Sequence, residues 1–95
     1  MSSMKLPPEL IQKYLVRRKQ DSVDCDGAIV DQNSAVFERI GHQLKGNALT
    51  YGFPELGSIG EAMEIAAKDR NWRELELLTA SFKQFLLDLP KAPEG

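Results

Sequence analysis

The chain contains a single histidine, His42, within the run His42-Gln43-Leu44-Lys45-Gly46. The run reads as helix, and on a helix Lys45 and Gly46 are the surface neighbours one turn beyond the imidazole. Glycine inside a helix costs roughly 0.8–1 kcal/mol relative to alanine. Propensity therefore gives Gly46 no reason to be there, whereas a partner coming close to the backbone would. An exposed imidazole nitrogen can accept a phosphoryl group reversibly, a transfer governed mostly by alignment and charge stabilisation. Three things are then required: Nε2 with a free lone pair, an acceptor on Nδ1 to fix the tautomer, and a cation near the phosphoryl oxygens. Glu64 is the candidate acceptor and Lys45 the candidate cation.

Other chemistries lack their residues. With one histidine and one cysteine, Cys25, an ordinary zinc site cannot be assembled. The glycines at 41, 46, 52, 57 and 60 are scattered singly and form no phosphate-cradling loop, so the chain has no ATP site of its own and no expected cofactor. A Ser-His-Asp hydrolase would need a strand-to-helix nucleophile turn, and strand signals are nearly absent. Twelve basic against fourteen acidic residues give a formal charge of −2, so no basic field invites nucleic acid or an anionic membrane. Arg17-Arg18-Lys19 reads as a solvated helix face. No apolar run is long enough to cross a bilayer, and the start of the chain has no signal-peptide pattern. A lone cysteine suits a reducing compartment, and Cys25 reads as a small buried hydrophobe. These features together point to the cytoplasm.

The elements that must position His42 follow from periodicity. Pro7-Pro8 opens a helical segment carrying Leu10, Ile11, Tyr14 and Leu15, with a polar stretch over 17–21. The apolar pattern resumes at Val23, Cys25, Ala28, Ile29 and Val30 and ends near Asp31. The segment is one long helix or a short one followed by a longer one, Gly27 being the weak point. Asn33 or Ser34 can cap the next helix. Its apolar stripe is Phe37, Ile40, Gly41, Leu44 and Ala48, and at about 100° per residue His42 falls outside it and points outward. Gly52 stops this helix and Pro54 starts another over 54–68, with Leu56, Ile59, Met63 and Ala66 facing inward. Beside that stripe, Gly57 and Gly60 allow a close neighbour that would meet Glu64. Asn71 caps a last helix with the seam Leu75, Leu78, Phe82, Phe85, Leu86 and Leu89, and Pro90 ends it. Trp72 reads as a packing anchor. The expected fold is all-α, an antiparallel four-helix bundle with room for a short additional N-terminal helix. It forms one domain over residues 7–90, between a flexible start (1–6) and tail (91–95).

His42-Gln43-Leu44-Lys45-Gly46-Asn47-Ala48, followed in register by Gly52, Leu56, Met63 and Glu64, resembles the signature of histidine-containing phosphotransfer (HPt) domains. The run Tyr51-Gly52-Phe53-Pro54-Glu55-Leu56 looks like that of small stand-alone bacterial members. The resemblance covers most of the chain, departing mildly at Gly60, where alanine or cysteine is more usual. It implies a stoichiometric carrier and not an enzyme. His42 would be the phosphoacceptor, Lys45 would support the phosphoryl group, Gly46 would leave room for the partner, and Glu64 would orient the imidazole. The implied partners are response regulator receiver domains and a hybrid sensor histidine kinase, with magnesium held by the receiver.

Each residue also has a plainer reading. His42 alone would be an incidental surface histidine, Lys45 a solvated charge, and Glu64 a pair for Lys68 at i+4. Gln43 and Asn47 would bond a partner or only solvent, and Leu49 would join an apolar docking patch. The alternative function is a helical adaptor that docks on a receiver or kinase without carrying phosphate. Transfer to a small molecule is a third option, for which the sequence displays no pocket.

Overall fold

A computed structural model describes residues 6–89, so the expectations for residues 1–5, Pro90 and the tail 91–95 lie outside the described residues. Four helices follow one another: α1 (Pro8–Asp31), α2 (Ser34–Asn47), α3 (Pro54–Lys68) and α4 (Trp72–Asp88). The fold is all-α. Each helix packs on its neighbours in sequence, and α1 closes the ring against α4. Among the described residues no extra N-terminal helix precedes α1, which is continuous through Gly27. Gly27 has nothing near its Cβ position. Its cost there is propensity alone, about 1 kcal/mol, and the packing of Cys25 and Ala28 on either side overrides it. No helix among the described residues is long and apolar enough to cross a membrane.

Local chemistry sets the boundaries. Asn33 Oδ1 accepts from the Ala35 amide at 3.2 Å and caps α2. Asn71 Oδ1 accepts from the Glu74 amide at 3.1 Å and caps α4, as expected of side chains that satisfy orphan amides. The helix α2 ends at Asn47, earlier than Gly52, and residues 48–52 continue it as turns. These close at Gly52, where φ is +91°: the Phe53 amide donates to Ala48 O at 2.8 Å and the Gly52 amide to Leu49 O at 2.9 Å. This is a Schellman pair, whose left-handed residue favours glycine.

The core is built from Phe37, Ile40, Leu44, Leu56, Met63, Leu75 and Phe82, all fully buried. Trp72 meets Phe37 edge to face at 6.1 Å between centroids, as an anchor should. The first helix departs from its sequence reading. Val23 and Val30 face solvent, while Arg18 and Asp21 are buried. Arg18 is therefore no part of a solvated face. Its Nε lies 2.8 Å from Asp21 Oδ2, close enough for an ion pair but not aligned as a hydrogen bond. The guanidinium also sits 4.5 Å from the Tyr14 ring centre, a cation–π contact. Cys25 is buried, which pushes its thiol up to about 12, and an un-ionised thiol is inert.

The tightest contact joins α2 to α3. A Cβ on Gly60 would fall 2.6 Å from Gly41 O and 2.8 Å from the Lys45 nitrogen. One on Gly41 would fall 2.6 Å from Gly60 O and 2.9 Å from the Glu64 nitrogen. Gly41 lies opposite Glu64 and Lys45 opposite Gly60, so the two helices run antiparallel with backbones touching. Of the two glycines expected to allow this, only Gly60 is required, since a Cβ on Gly57 would make an ordinary 3.8 Å contact with Ala48. The other half of the crossing is Gly41. Substitutions three residues apart on α3 should thus have opposite signs. Gly60→Ala should lose about 1–3 kcal/mol through overpacking, and Gly57→Ala should gain roughly 0.5–1 kcal/mol from helix propensity. Urea denaturation followed by circular dichroism measures both.

Candidate functional site

The glycine crossing brings one turn of α2 against one turn of α3. His42 follows Gly41 and projects outward, its side chain 72% exposed. Glu64 stands across the contact, one turn beyond Gly60, with 15% of its side chain exposed. The expected orienting contact is present: His42 Nδ1 lies 3.1 Å from Glu64 Oε2. An ionised carboxylate can only accept, so Nδ1 carries the hydrogen. In the neutral ring the lone pair then belongs to Nε2, and the exposure of the ring leaves that atom open to solvent.

Lys45 occupies a place that spacing alone did not give it. Its Nζ lies 3.2 Å from Glu64 Oε1, so the carboxylate bridges imidazole and ammonium, one oxygen to each. This displaces the plainer reading of Glu64 as a partner for Lys68. The Lys45 side chain remains about half exposed, and its three donors and flexible stem let it swing to a second anion. The Glu64 carboxyl is held below the ordinary glutamate value. The hydrogen bond from Lys45 contributes most, partial desolvation opposes it, and the hydrogen bond from His42 adds to the lowering.

Gly46 lies on the same open surface, with nothing near its Cβ position. No helix packs there, so packing does not account for this glycine. Gln43 and Leu49 are exposed, Leu49 standing in the turn just after α2. That turn is fixed from below by aromatic contacts to α1: Tyr14 stacks on Tyr51 at 4.0 Å and lies parallel to Phe53 at 6.0 Å. Asn47 belongs to this support and not to the exposed face, because Tyr14 OH donates to its Oδ1 at 2.8 Å. Ile65, exposed beside Glu64, is an apolar surface residue that periodicity did not single out. At about 100° per residue it falls opposite Leu56 and outside the inward stripe of α3, so the same wheel that places His42 outside would have found it.

Among the described residues no group of three or more His, Cys, Asp or Glu side chains converges as metal ligands. An open groove of about 650 Å³ between α3 and α4 is lined by residues such as Glu55, Ile59, Phe85 and Leu89. It shares no residue with the His42 cluster. No protein-family model, curated protein or solved structure matches the chain, so its function has to be read from these residues and their geometry.

The lowered carboxyl sets a pH dependence. A folded-state value below the unfolded one adds stability at pH above the unfolded value, and that stability is lost as pH falls through the folded value. Carboxyl NMR titration should place the Glu64 midpoint below that of an ordinary glutamate, and Lys45→Ala should raise it. An unchanged midpoint in that variant would mean that Lys45 does not hold the carboxylate in solution.

Proposed function

We propose that the chain is a phosphorelay carrier of the histidine phosphotransfer type, working in the bacterial cytoplasm between receiver domains. The observation that carries this reading is the Glu64 bridge: an exposed imidazole whose Nδ1 is tied to a carboxylate, with a half-exposed cation on the same carboxylate. A surface histidine with no chemical task has no use for a fixed tautomer.

In the proposed reaction the Nε2 lone pair of His42 attacks the phosphorus of a receiver's aspartyl phosphate. The N–P bond forms as the P–O bond to the aspartyl carboxylate breaks, and the carboxylate leaves with its electron pair. No proton need depart from Nε2, because the hydrogen is on Nδ1. The phosphorylated ring is then cationic, and Glu64 accepts a stronger, charge-assisted hydrogen bond from it. Lys45 can exchange one carboxylate oxygen for a phosphoryl oxygen. The receiver would supply magnesium and the remaining catalytic groups, and the reverse reaction would load a second receiver aspartate. Gly46, one helical turn from His42, leaves the surface beside the ring open for a partner.

Incubation with a phosphorylated receiver should label the wild-type chain with acid-labile, base-stable phosphate and leave His42→Gln unlabelled. Equal labelling of the two, or of neither, would sink the proposal. Binding to a receiver that survives His42→Gln, with no transfer on any time scale, would point instead to a docking adaptor. Gly46→Gln should keep the fold, with equal or greater helix stability, while slowing transfer by about tenfold or more, equivalent to roughly 1.4 kcal/mol. Glu64→Ala should weaken the phosphoacceptor and leave it folded.

A further inference from the structure

The outer face of α1 carries an apolar stripe with no role in the four-helix core. Val16, Val23 and Val30 are 63%, 58% and 81% exposed. Seven-residue spacing brings a helical position back to within about 20°, so the three lie on one narrow line opposite the inward-facing Tyr14, Arg18 and Cys25. The stripe is symmetric about Val23. We propose that it pairs two copies of this chain, α1 against α1 in antiparallel orientation, with Val23 on the two-fold axis and Val16 facing Val30 of the other copy.

Charge selects this occupant and orientation. Of the exposed charges beside the stripe, Lys13, Arg17 and Lys19 lie on its N-terminal half and Asp26 and Asp31 on its C-terminal half, while Glu9, in the first turn of α1, falls about 9 Å past the end of the partner's α1 in the antiparallel pair. Lys19 and Asp26 lie on the same flank, about 40° and 60° from Val23 by helix geometry. Rotation about a two-fold axis through Val23 brings Lys19 of each copy level with Asp26 of the other, to within about 1.5 Å along the axis. On the opposite flank it brings Lys13 near Asp31 in the same way. A parallel pairing in register would instead bring like charges level across the seam, Lys19 with Lys19 and Asp26 with Asp26, and pair neither with its opposite. Among the described residues Lys13, Lys19 and Asp31 have no ion-pair partner in their own chain, and Asp26 bonds Lys83 of α4 with half its side chain still exposed. Gly27, with open space at its Cβ, lets the second helix come close beside Gln20. None of these residues belongs to the His42 cluster, so pairing would yield a carrier with two separate sites, and the inference does not depend on the proposed reaction.

Sedimentation velocity from micromolar to millimolar protein should show a weak monomer–dimer equilibrium. Val23→Glu, which sets two like charges on the axis, should raise its midpoint concentration by about tenfold or more. Lys19→Glu should weaken association, and adding Asp26→Lys should restore it. Cysteine cross-linking reads the register, with the native thiol buried. Val23→Cys should form a disulfide dimer, whereas Val16→Cys should not, because its two copies stand about 21 Å apart along the axis. A mixture of Val16→Cys and Val30→Cys chains should cross-link. Circular dichroism confirms that each variant is folded. A wild-type chain that stays monomeric at millimolar concentration, or Val16→Cys dimers as abundant as those of Val23→Cys, would overturn the proposal.

Discussion

The contact between Gly41 and Gly60 governs the geometry of everything around His42. Two helices touch there at backbone distance, closer than any side chain would permit, and this brings a short carboxylate on α3 within bonding distance of an imidazole and an ammonium on α2. With ordinary side chains at the crossing the axes would separate toward the usual 8–10 Å, and Glu64 would no longer reach Nδ1. The glycines carry no reactive group, yet they determine whether an imidazole, a carboxylate and an ammonium form a unit.

Two further layers support that unit. Beneath it, Phe37, Ile40, Leu44, Leu56 and Met63 fill the space between the helices. To one side, Tyr14, Arg18, Tyr51 and Phe53 hold the turn after α2 against α1, with Asn47 bonded into the same group. The ring on α2 therefore stands on a scaffold whose rotamers are constrained by packing, while its own outer edge faces water. Locked packing below holds the ring in place, and the open surface above leaves it accessible, as the proposed transfer would need.

Much of this was legible in the sequence because α2, α3 and α4 obey a simple rule: each has an apolar stripe at helical spacing that faces the core, with only single residues such as Ile65, Leu77 and Leu87 outside it. Phe37, Ile40, Leu44, Met63, Leu75 and Phe82 could be placed inside, and His42 outside, from the wheel alone. The same rule failed on α1. There two of the most apolar-looking positions, Val23 and Val30, face solvent, and the buried face includes a charge pair whose partners neutralise each other across one turn. Periodicity of residue type cannot distinguish a paired, buried arginine from a solvated one. Nor could it reveal that Lys45 rests on Glu64, because that contact depends on how close the helices lie. By spacing Gly41 belongs to an apolar stripe, and only the interhelical distance shows that its missing Cβ is what the position needs.

The open surface around His42 has a consequence of another kind. Gln43, Gly46 and Leu49 are exposed, so other side chains at those positions would cost the bundle little, and at Gly46 they would even firm the helix. The glycine crossing a few ångströms below is the opposite, since almost any replacement there would disturb the fold. Over generations such a molecule could change the company it keeps, residue by residue at its rim, without risking its structure. Under the proposed function, recognition would be free to drift while the chemistry stayed fixed, and duplicated copies could diverge into separate relays with the same heart.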